Sequence, residues 1–133
     1  MKELYAKKGY SKDWIDKRLR GIAILTAEIS KATFGLTPSE YKVHKCLTKK
    51  NQNLRDHMTD LELIFTMLGE RITTEISQQE KPETFEENKN VANRGGNVAG
   101  IARKQTEKEL GHSVISSENY LEGLDVEDKK EEK

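Results

Sequence analysis

The stretch from Asn53 to Glu70 most constrains the fold, because it contains a helix with a well-defined start. Thr59 is a favoured N-cap residue and Glu62 follows three positions later, so the pair predicts a capping box. Met58 and Leu63 have the spacing of a hydrophobic staple across that cap. Apolar residues then recur at helical spacing. They predict the most buried helix of the chain, over 59–79, with its core at Leu61, Ile64, Phe65 and Leu68.

Two further segments carry helix signals before that stretch. The run 37–40, Thr-Pro-Ser-Glu, combines a cap, a proline at the first helical position and a glutamate at the third, and predicts a helix over 37–50. Ser11 predicts the start of an earlier helix, and Gly35 is a typical C-terminal stop for it. Gly21 interrupts this earlier helix, so the sequence predicts either a kink or two helices that meet there.

The last long segment, over 84–110, is predicted to be helical but is unusual in composition. Thr84 and Glu87 predict a third capping box, and Gly111 predicts the stop. A run of small residues, 95–100, resembles a phosphate-binding loop in its glycine content. No strand precedes it and the lysine–hydroxyl pair of such loops is missing, so a packing or flexibility role is favoured.

The whole chain is predicted to be all-α, a small irregular helical bundle of about four to five helices. Its 133 residues suit one domain, and no run shows sustained strand alternation, although Val114 and Ile115 are expected to be extended. Hydrophobic residues are 34% and charged residues 35%, which favours large solvated helix faces or a core completed by a partner. We expect a flexible basic segment over 1–10, the domain over 11–121 and a disordered charged tail over 122–133.

The single cysteine, Cys46, excludes an internal disulfide framework and is expected to be buried or half-buried. The first residues lack an apolar signal segment, and no run of about 18 apolar residues is present. The sequence therefore predicts a reduced, cytoplasmic setting with no membrane contact.

Few residues suggest chemistry. The three histidines, His44, His57 and His112, do not share an i, i+4 spacing on one predicted helix, so no metal site and no cofactor are expected. Asp56 beside His57 would support a hydrolase only if a cleft gathered them with another carboxylate, and the favoured interpretation is a polar turn before a capped helix. The sequence thus predicts a non-enzymatic protein without a small-molecule substrate.

Positive charge is the better functional indication, although the net charge is zero. Residues 1–20 contain seven Lys or Arg against three acids, and 89–109 contain five against two, while 60–87 and 118–133 are acidic. Basic residues supply phosphate contacts, and Tyr10 or Trp14 is available for stacking on bases. The alternative, solvated helix faces, stays open. The candidate contact residues for a nucleic acid or a protein partner are Arg18, Arg20, Arg94, Arg103, Lys104 and Lys108.

Four stretches together resemble the DNA-damage-inducible protein D family. They are AILTAEISKATFGLTPSEYK (23–42), NLRDHMTDLELIFTMLGE (53–70), FEENKNVANRGGNVAGIARK (85–104) and VISSENYLE (114–122). That family carries a Bro-N domain, as found in phage antirepressors, and is associated with the bacterial SOS response to DNA damage. The resemblance covers roughly 11–122 and implies that the chain corresponds to the later part of such a protein, without the Bro-N module. Relatives have an additional polar segment between the counterparts of 17–19 and 23–25, whereas in this chain 20–22 joins these two stretches directly.

The resemblance implies a non-enzymatic interaction domain that contacts DNA or a DNA-bound repair protein, such as a recombinase filament. The helix over 84–110 is the expected contact surface. Two alternatives remain: a structural module that forms homo-oligomers through its apolar stripes, and a truncated, non-functional remnant of a damage-inducible protein D.

Overall fold

The computed structural model describes residues 2–47 and 52–117, and within them it contains helices and no strand. The predicted all-α bundle is confirmed. The disordered tail expected over 122–133 and the end of the predicted helix at 48–50 lie outside the described residues. The helices are α1 (Lys2–Lys7), α2 (Lys12–Phe34), α3 (Pro38–His44), a 3-10 helix (Leu54–His57), α4 (Asp60–Glu80) and α5 (Phe85–Leu110).

The predicted helix starts are confirmed by their hydrogen bonds. The Thr59 hydroxyl accepts from the Glu62 N–H at 3.3 Å, and Glu62 Oε1 accepts from the Thr59 N–H at 2.9 Å. Thr37 and Glu40 form the same reciprocal pair at the start of α3. At the start of α5 the box is incomplete, because the Glu87 carboxylate accepts from the Glu83 N–H instead of the cap residue. These side chains satisfy amides that a helix start leaves without partners.

The helix ends match the sequence signals less uniformly. Gly35 and Gly111 end α2 and α5 with positive φ angles of 76°, as expected for a glycine stop. The helix α3 ends at His44, earlier than predicted, because Cys46 adopts a left-handed conformation with φ of 61°. Cys46 is exposed rather than buried or half-buried, so that prediction was wrong.

The first half of the chain is more ordered than the sequence suggests. Gly21 does not divide α2 into two helices, because α2 runs without a break from Lys12 to Phe34. The segment 1–10, expected to be flexible, contains α1 over Lys2–Lys7, which lies against α2.

Three long helices form the body of the fold. The helices α4 and α5 run antiparallel, because Gly69 lies opposite Ala99 while Thr73 lies opposite Gly95. The helix α2 runs parallel to α5: its Gly21 lies near Phe85, and its later residues lie against the later residues of α5. The start of α5 therefore lies beside Gly21, near the middle of α2.

The glycine-rich run of α5 is the main packing surface between these helices. A Cβ atom on Gly96 would lie 2.6 Å from the Ile29 carbonyl oxygen, and one on Gly95 would lie 2.7 Å from Thr73 Cα. Only residues without a Cβ allow the backbones to approach this closely. The sequence-based choice of a packing or flexibility role over a phosphate-binding loop agrees with these contacts, which are those of a packing role.

The most buried helix is consequently α5, and the prediction for the helix over 59–79 was wrong in this respect. Phe65 is buried and Leu68 partly buried as expected, but Leu61 is 37% exposed and Ile64 is 55% exposed. These two residues lie outside the core because α4 packs through Gly69 and Thr73 instead. The main apolar cluster joins α2, α3, α4 and the end of the described chain: Phe34, Tyr41, Met58, Phe65 and Val114.

A fully buried ion pair lies beside this cluster. Lys45 Nζ donates to Glu62 Oε1 at 2.8 Å, and neither side chain is exposed to solvent. The Tyr41 hydroxyl donates to the other Glu62 oxygen, and Lys45 Nζ also donates to the Ser116 carbonyl at 3.0 Å. Glu62 therefore serves both the cap of α4 and the core.

Candidate nucleic-acid interface

The six candidate cations do not form one surface. Arg103 is buried: its Nε donates to the Thr33 carbonyl at 2.7 Å, and its Nη1 donates to Glu107 at 2.7 Å. Arg103 thus satisfies a carbonyl at the C-terminal end of α2 and is not available to a partner. Arg103 thus serves a packed helix end, which does not favour it as a contact residue.

Arg94 is exposed but already has a carboxylate partner. Its two terminal nitrogens donate to the two oxygens of Glu80 at 2.8 and 2.7 Å, which is the bidentate geometry that suits an arginine–carboxylate pair. These hydrogen bonds hold the pKa of Glu80 below its ordinary value and raise the pKa of Arg94. A phosphate would have to compete with Glu80, so Arg94 is a poor first choice for a contact residue.

The other four candidates lie at opposite ends of the bundle. Arg18 and Arg20 are exposed near the start of α2, whereas Lys104 and Lys108 are exposed near the end of α5. Since Arg103 touches Thr33, Lys104 lies beside the end of α2, about 20 Å along the helix from Arg18 at 1.5 Å per residue. The helix over 84–110 therefore does not present a continuous basic surface.

The contacts of Arg103 give a direct prediction. Arg103→Met is expected to lower the free energy of unfolding by about 1–3 kcal/mol, because the Thr33 carbonyl and the Glu107 carboxylate each lose a donor. The neighbouring Lys104→Met, on the exposed side of the same helix, is the matched control and should leave stability unchanged. Urea unfolding followed by circular dichroism measures both variants. Equal stability of the two variants would contradict the structural role of Arg103.

The start of α2 carries an aromatic cluster made of Tyr5, Tyr10 and Trp14. The rings of Tyr10 and Trp14 are stacked, with centroids 4.1 Å apart and planes inclined by 14°, and both side chains are exposed. Tyr5, from α1, packs edge-on against both of them. The cluster holds α1 against α2 and leaves aromatic surface open to solvent.

Basic residues adjoin this cluster on one side of α2. Lys17 and Arg18 follow Trp14 by three and four residues, so the three side chains share one side of the helix. We call Tyr10, Trp14, Lys17 and Arg18 the aromatic-basic surface. Arg20 is two residues beyond Arg18 and therefore points away from it.

A cleft of about 340 Å³ continues the surface toward α5. Lys17 and Arg18 line it on one side, and Phe85 lines it on the other, with an exposed ring 3.7 Å from the position of a Cβ on Gly21. Glu83 is the acidic residue of the lining. Tyr10, Trp14 and Arg18 were identified from the sequence, but Phe85 was missed, because its proximity to α2 follows from the parallel packing of α2 and α5.

Asp56 and His57, the pair considered for a hydrolase, lie in the 3-10 helix that precedes α4. Asp56 is exposed and His57 is buried, and neither lines the groove of about 440 Å³ that lies between α2, the 3-10 helix and α4. Over 2–47 and 52–117, no three residues among His, Cys, Asp and Glu are placed to hold a metal ion. Among the described helices, none is both long and apolar enough to cross a membrane.

No family model, no curated protein and no solved structure matches the chain. The resemblance to the DNA-damage-inducible protein D family therefore stays a prediction from the sequence.

Proposed function

We propose that this chain is a non-enzymatic interaction domain of the bacterial DNA-damage response, and that it contacts DNA through the aromatic-basic surface. The observation that carries the proposal is the exposed Tyr10–Trp14 ring pair beside Lys17 and Arg18. Single-stranded nucleic acids are bound by this combination: cations follow the phosphates, and aromatic rings stack with the bases.

The charge distribution favours the aromatic-basic surface, rather than the end of α5, as the surface that contacts DNA. Residues 2–20 contain seven basic and three acidic side chains, and the ion pair of Lys2 with Asp16, at 3.9 Å, is long and partly exposed. Such a pair is weak in water and is readily exchanged for a phosphate contact. Toward the end of α5, by contrast, Arg103 is held in the fold by Thr33 and Glu107.

The aromatic rings favour single-stranded DNA over duplex DNA. Stacking of a base on Trp14 or Tyr10 requires an unpaired base, and each stacked base contributes about 1–3 kcal/mol. Duplex DNA would be limited to phosphate contacts by the cations. We therefore expect preferential binding to single-stranded DNA, a form that is exposed when DNA is damaged.

The test is a fluorescence-anisotropy titration of labelled single-stranded and duplex oligonucleotides at salt concentrations of about 50 and 200 mM. The single strand should bind more tightly, and its affinity should fall with salt. The double variant Lys17→Ala/Arg18→Ala should weaken binding and reduce the slope of log K against log salt by about 1.4, or 0.7 for each lost contact. These exposed side chains should not affect the helix content.

The matched control is Lys104→Ala/Lys108→Ala, which removes the same number of exposed charges at the opposite end of the bundle. It should bind the single strand like the unmodified chain. If the two double variants weaken binding equally, net charge rather than the aromatic-basic surface carries the interaction. If neither form of DNA binds at the lower salt concentration, direct DNA contact is refuted, and a DNA-bound protein becomes the partner to test.

A further inference from the structure

An exposed stripe on α4 has an ordered pattern of charge and apolar surface. Asp60, Ile64, Met67 and Arg71 follow one another by four, three and four residues, so they lie in one line along the helix. Ile64 is 55% exposed, Met67 is 59% exposed and the side chain of Arg71 is 70% exposed. The stripe thus has an acid at one end, a base at the other and apolar side chains between them.

This stripe does not belong to the packing surface of the fold. The helix α4 contacts α2 and α5 through Gly69 and Thr73, which lie on other sides of the helix from Met67. Arg71 does have a neighbour within α4, since it donates to Glu75 one turn later. That contact is exposed, and a pair of this kind contributes little to stability.

The α4 stripe is complementary to the same stripe on a second copy when the two helices run antiparallel. In the antiparallel register in which Ile64 faces Met67 of the second copy, Asp60 faces Arg71 of that copy. The two charged positions are about 16 Å apart on each helix, at 1.5 Å per residue, so both ends meet at once. A self-complementary surface is what a two-fold dimer requires.

We propose that the α4 stripe is the contact surface of a homodimer in which two copies pair antiparallel through Asp60, Ile64, Met67 and Arg71. The partner is a second copy because acid and base are placed to face each other only when the same stripe is reversed. The apolar centre contributes burial, and the two outer ion pairs fix the orientation. The inference is independent of DNA binding, since the aromatic-basic surface lies on α2.

Sedimentation velocity of the full chain tests the proposal over concentrations from about 1 to 300 µM, because a single helix pair is smaller than a standard interface and should associate weakly. The unmodified chain should shift from monomer toward dimer across this range. Asp60→Arg places bases at both ends, and Arg71→Asp places acids at both ends. Each variant should therefore stay monomeric, with unchanged helix content.

The decisive experiment is sedimentation of a mixture of the two variants. In an equimolar mixture, Asp60→Arg and Arg71→Asp present opposite charges to each other at both ends, so a heterodimer should form. The swap of both residues within one chain should restore the homodimer, which keeps the test valid if one single variant folds poorly. A monomeric unmodified chain, unchanged association of the single variants or a mixture that stays monomeric would each overturn the proposal.

A further pair of substitutions tests the apolar centre of the α4 stripe. Met67→Glu should abolish association, whereas Val43→Glu, at a 77% exposed apolar position on α3, should not. An equal effect of the two substitutions would mean that general hydrophobicity, and not the α4 stripe, drives association.

Discussion

Glu62→Ala is expected to lower the free energy of unfolding by about 3–5 kcal/mol, the usual cost of removing one partner from a buried ion pair. The substitution leaves the Lys45 ammonium buried without its carboxylate, and it removes the acceptor of the Tyr41 hydroxyl and of the Thr59 N–H. A small domain is typically stable by only about 5–15 kcal/mol, so this variant should be close to unfolding. Urea unfolding with far-UV circular dichroism measures the loss.

Glu40→Ala is the matched control. Glu40 occupies the same third position in the capping box of α3 but is exposed, so its removal reports the capping contribution alone. Its effect should be a small fraction of the Glu62→Ala loss. If the two substitutions have equal effects, the buried contacts of Glu62 add nothing to its role in the cap.

A double variant tests whether the effect of Glu62→Ala comes from the buried charge that it leaves on Lys45. Burial raises the pKa of Glu62 to about 7, and the N–H groups of Thr59 and Ser116 act in the opposite direction. Lys45→Met/Glu62→Gln removes both charges, and glutamine still fits a capping box. The double variant should be more stable than Glu62→Ala, because it does not leave the Lys45 ammonium in the core without the Glu62 carboxylate. A double variant less stable than Glu62→Ala would contradict this account.

The second large effect concerns the packing of α5 on α2. Gly96→Ala is expected to lower the free energy of unfolding by about 1–3 kcal/mol or more, the range found for overpacked cores. The new Cβ would lie 2.6 Å from the Ile29 carbonyl oxygen and 2.8 Å from the Ala32 Cβ. Both are held on α2, so relief requires the two helices to separate. Thermal unfolding and urea unfolding should both show the loss.

Gly21→Ala should change stability in the opposite direction. Gly21 is also within a helix, but a Cβ there would meet only Phe85, at an ordinary 3.7 Å. Replacement of glycine by alanine at a compatible helical position usually adds about 0.5–1 kcal/mol. A gain of stability in both variants would show that α2 and α5 do not pack closely at Gly96.

The sequence predicts the helix starts well because their signals are local. A capping box is complete within four residues, so Thr37 with Glu40 and Thr59 with Glu62 can be identified without tertiary information. The difference between these boxes is tertiary. Glu62 is buried because Lys45 and the chain near Ser116 close over it, and no feature of the four residues indicates this.

Burial was harder to predict, because these helices pack through small residues. Apolar periodicity indicates Leu61 and Ile64 as core residues, whereas α4 contacts α2 and α5 through Gly69 and Thr73. Glycine and threonine contribute little to a hydrophobic stripe, so periodicity points to the wrong side of such a helix. The spacing of the small residues over 95–100 was the available signal, since it places them on adjoining sides of one helix.

The candidate site was only partly predictable for a related reason. Arg103 and Lys104 are adjacent basic residues in the sequence, yet one completes a helix end in the core and the other is exposed. Only the packing of α5 against α2 separates them. Tyr10 and Trp14 were both expected to be available for stacking on bases, but their stacking on each other was not predictable from helical spacing, because Tyr10 precedes the N-cap of α2.

The most direct test of the central claim uses Trp14, the only tryptophan of the chain, as an internal probe. Its emission should be followed while an unlabelled single-stranded oligonucleotide is added. We expect saturable quenching, with a midpoint that agrees with the anisotropy titration, because bases stack on the exposed indole ring. DNA binding detected by anisotropy without any change in Trp14 emission would contradict the claim that the aromatic-basic surface holds the DNA.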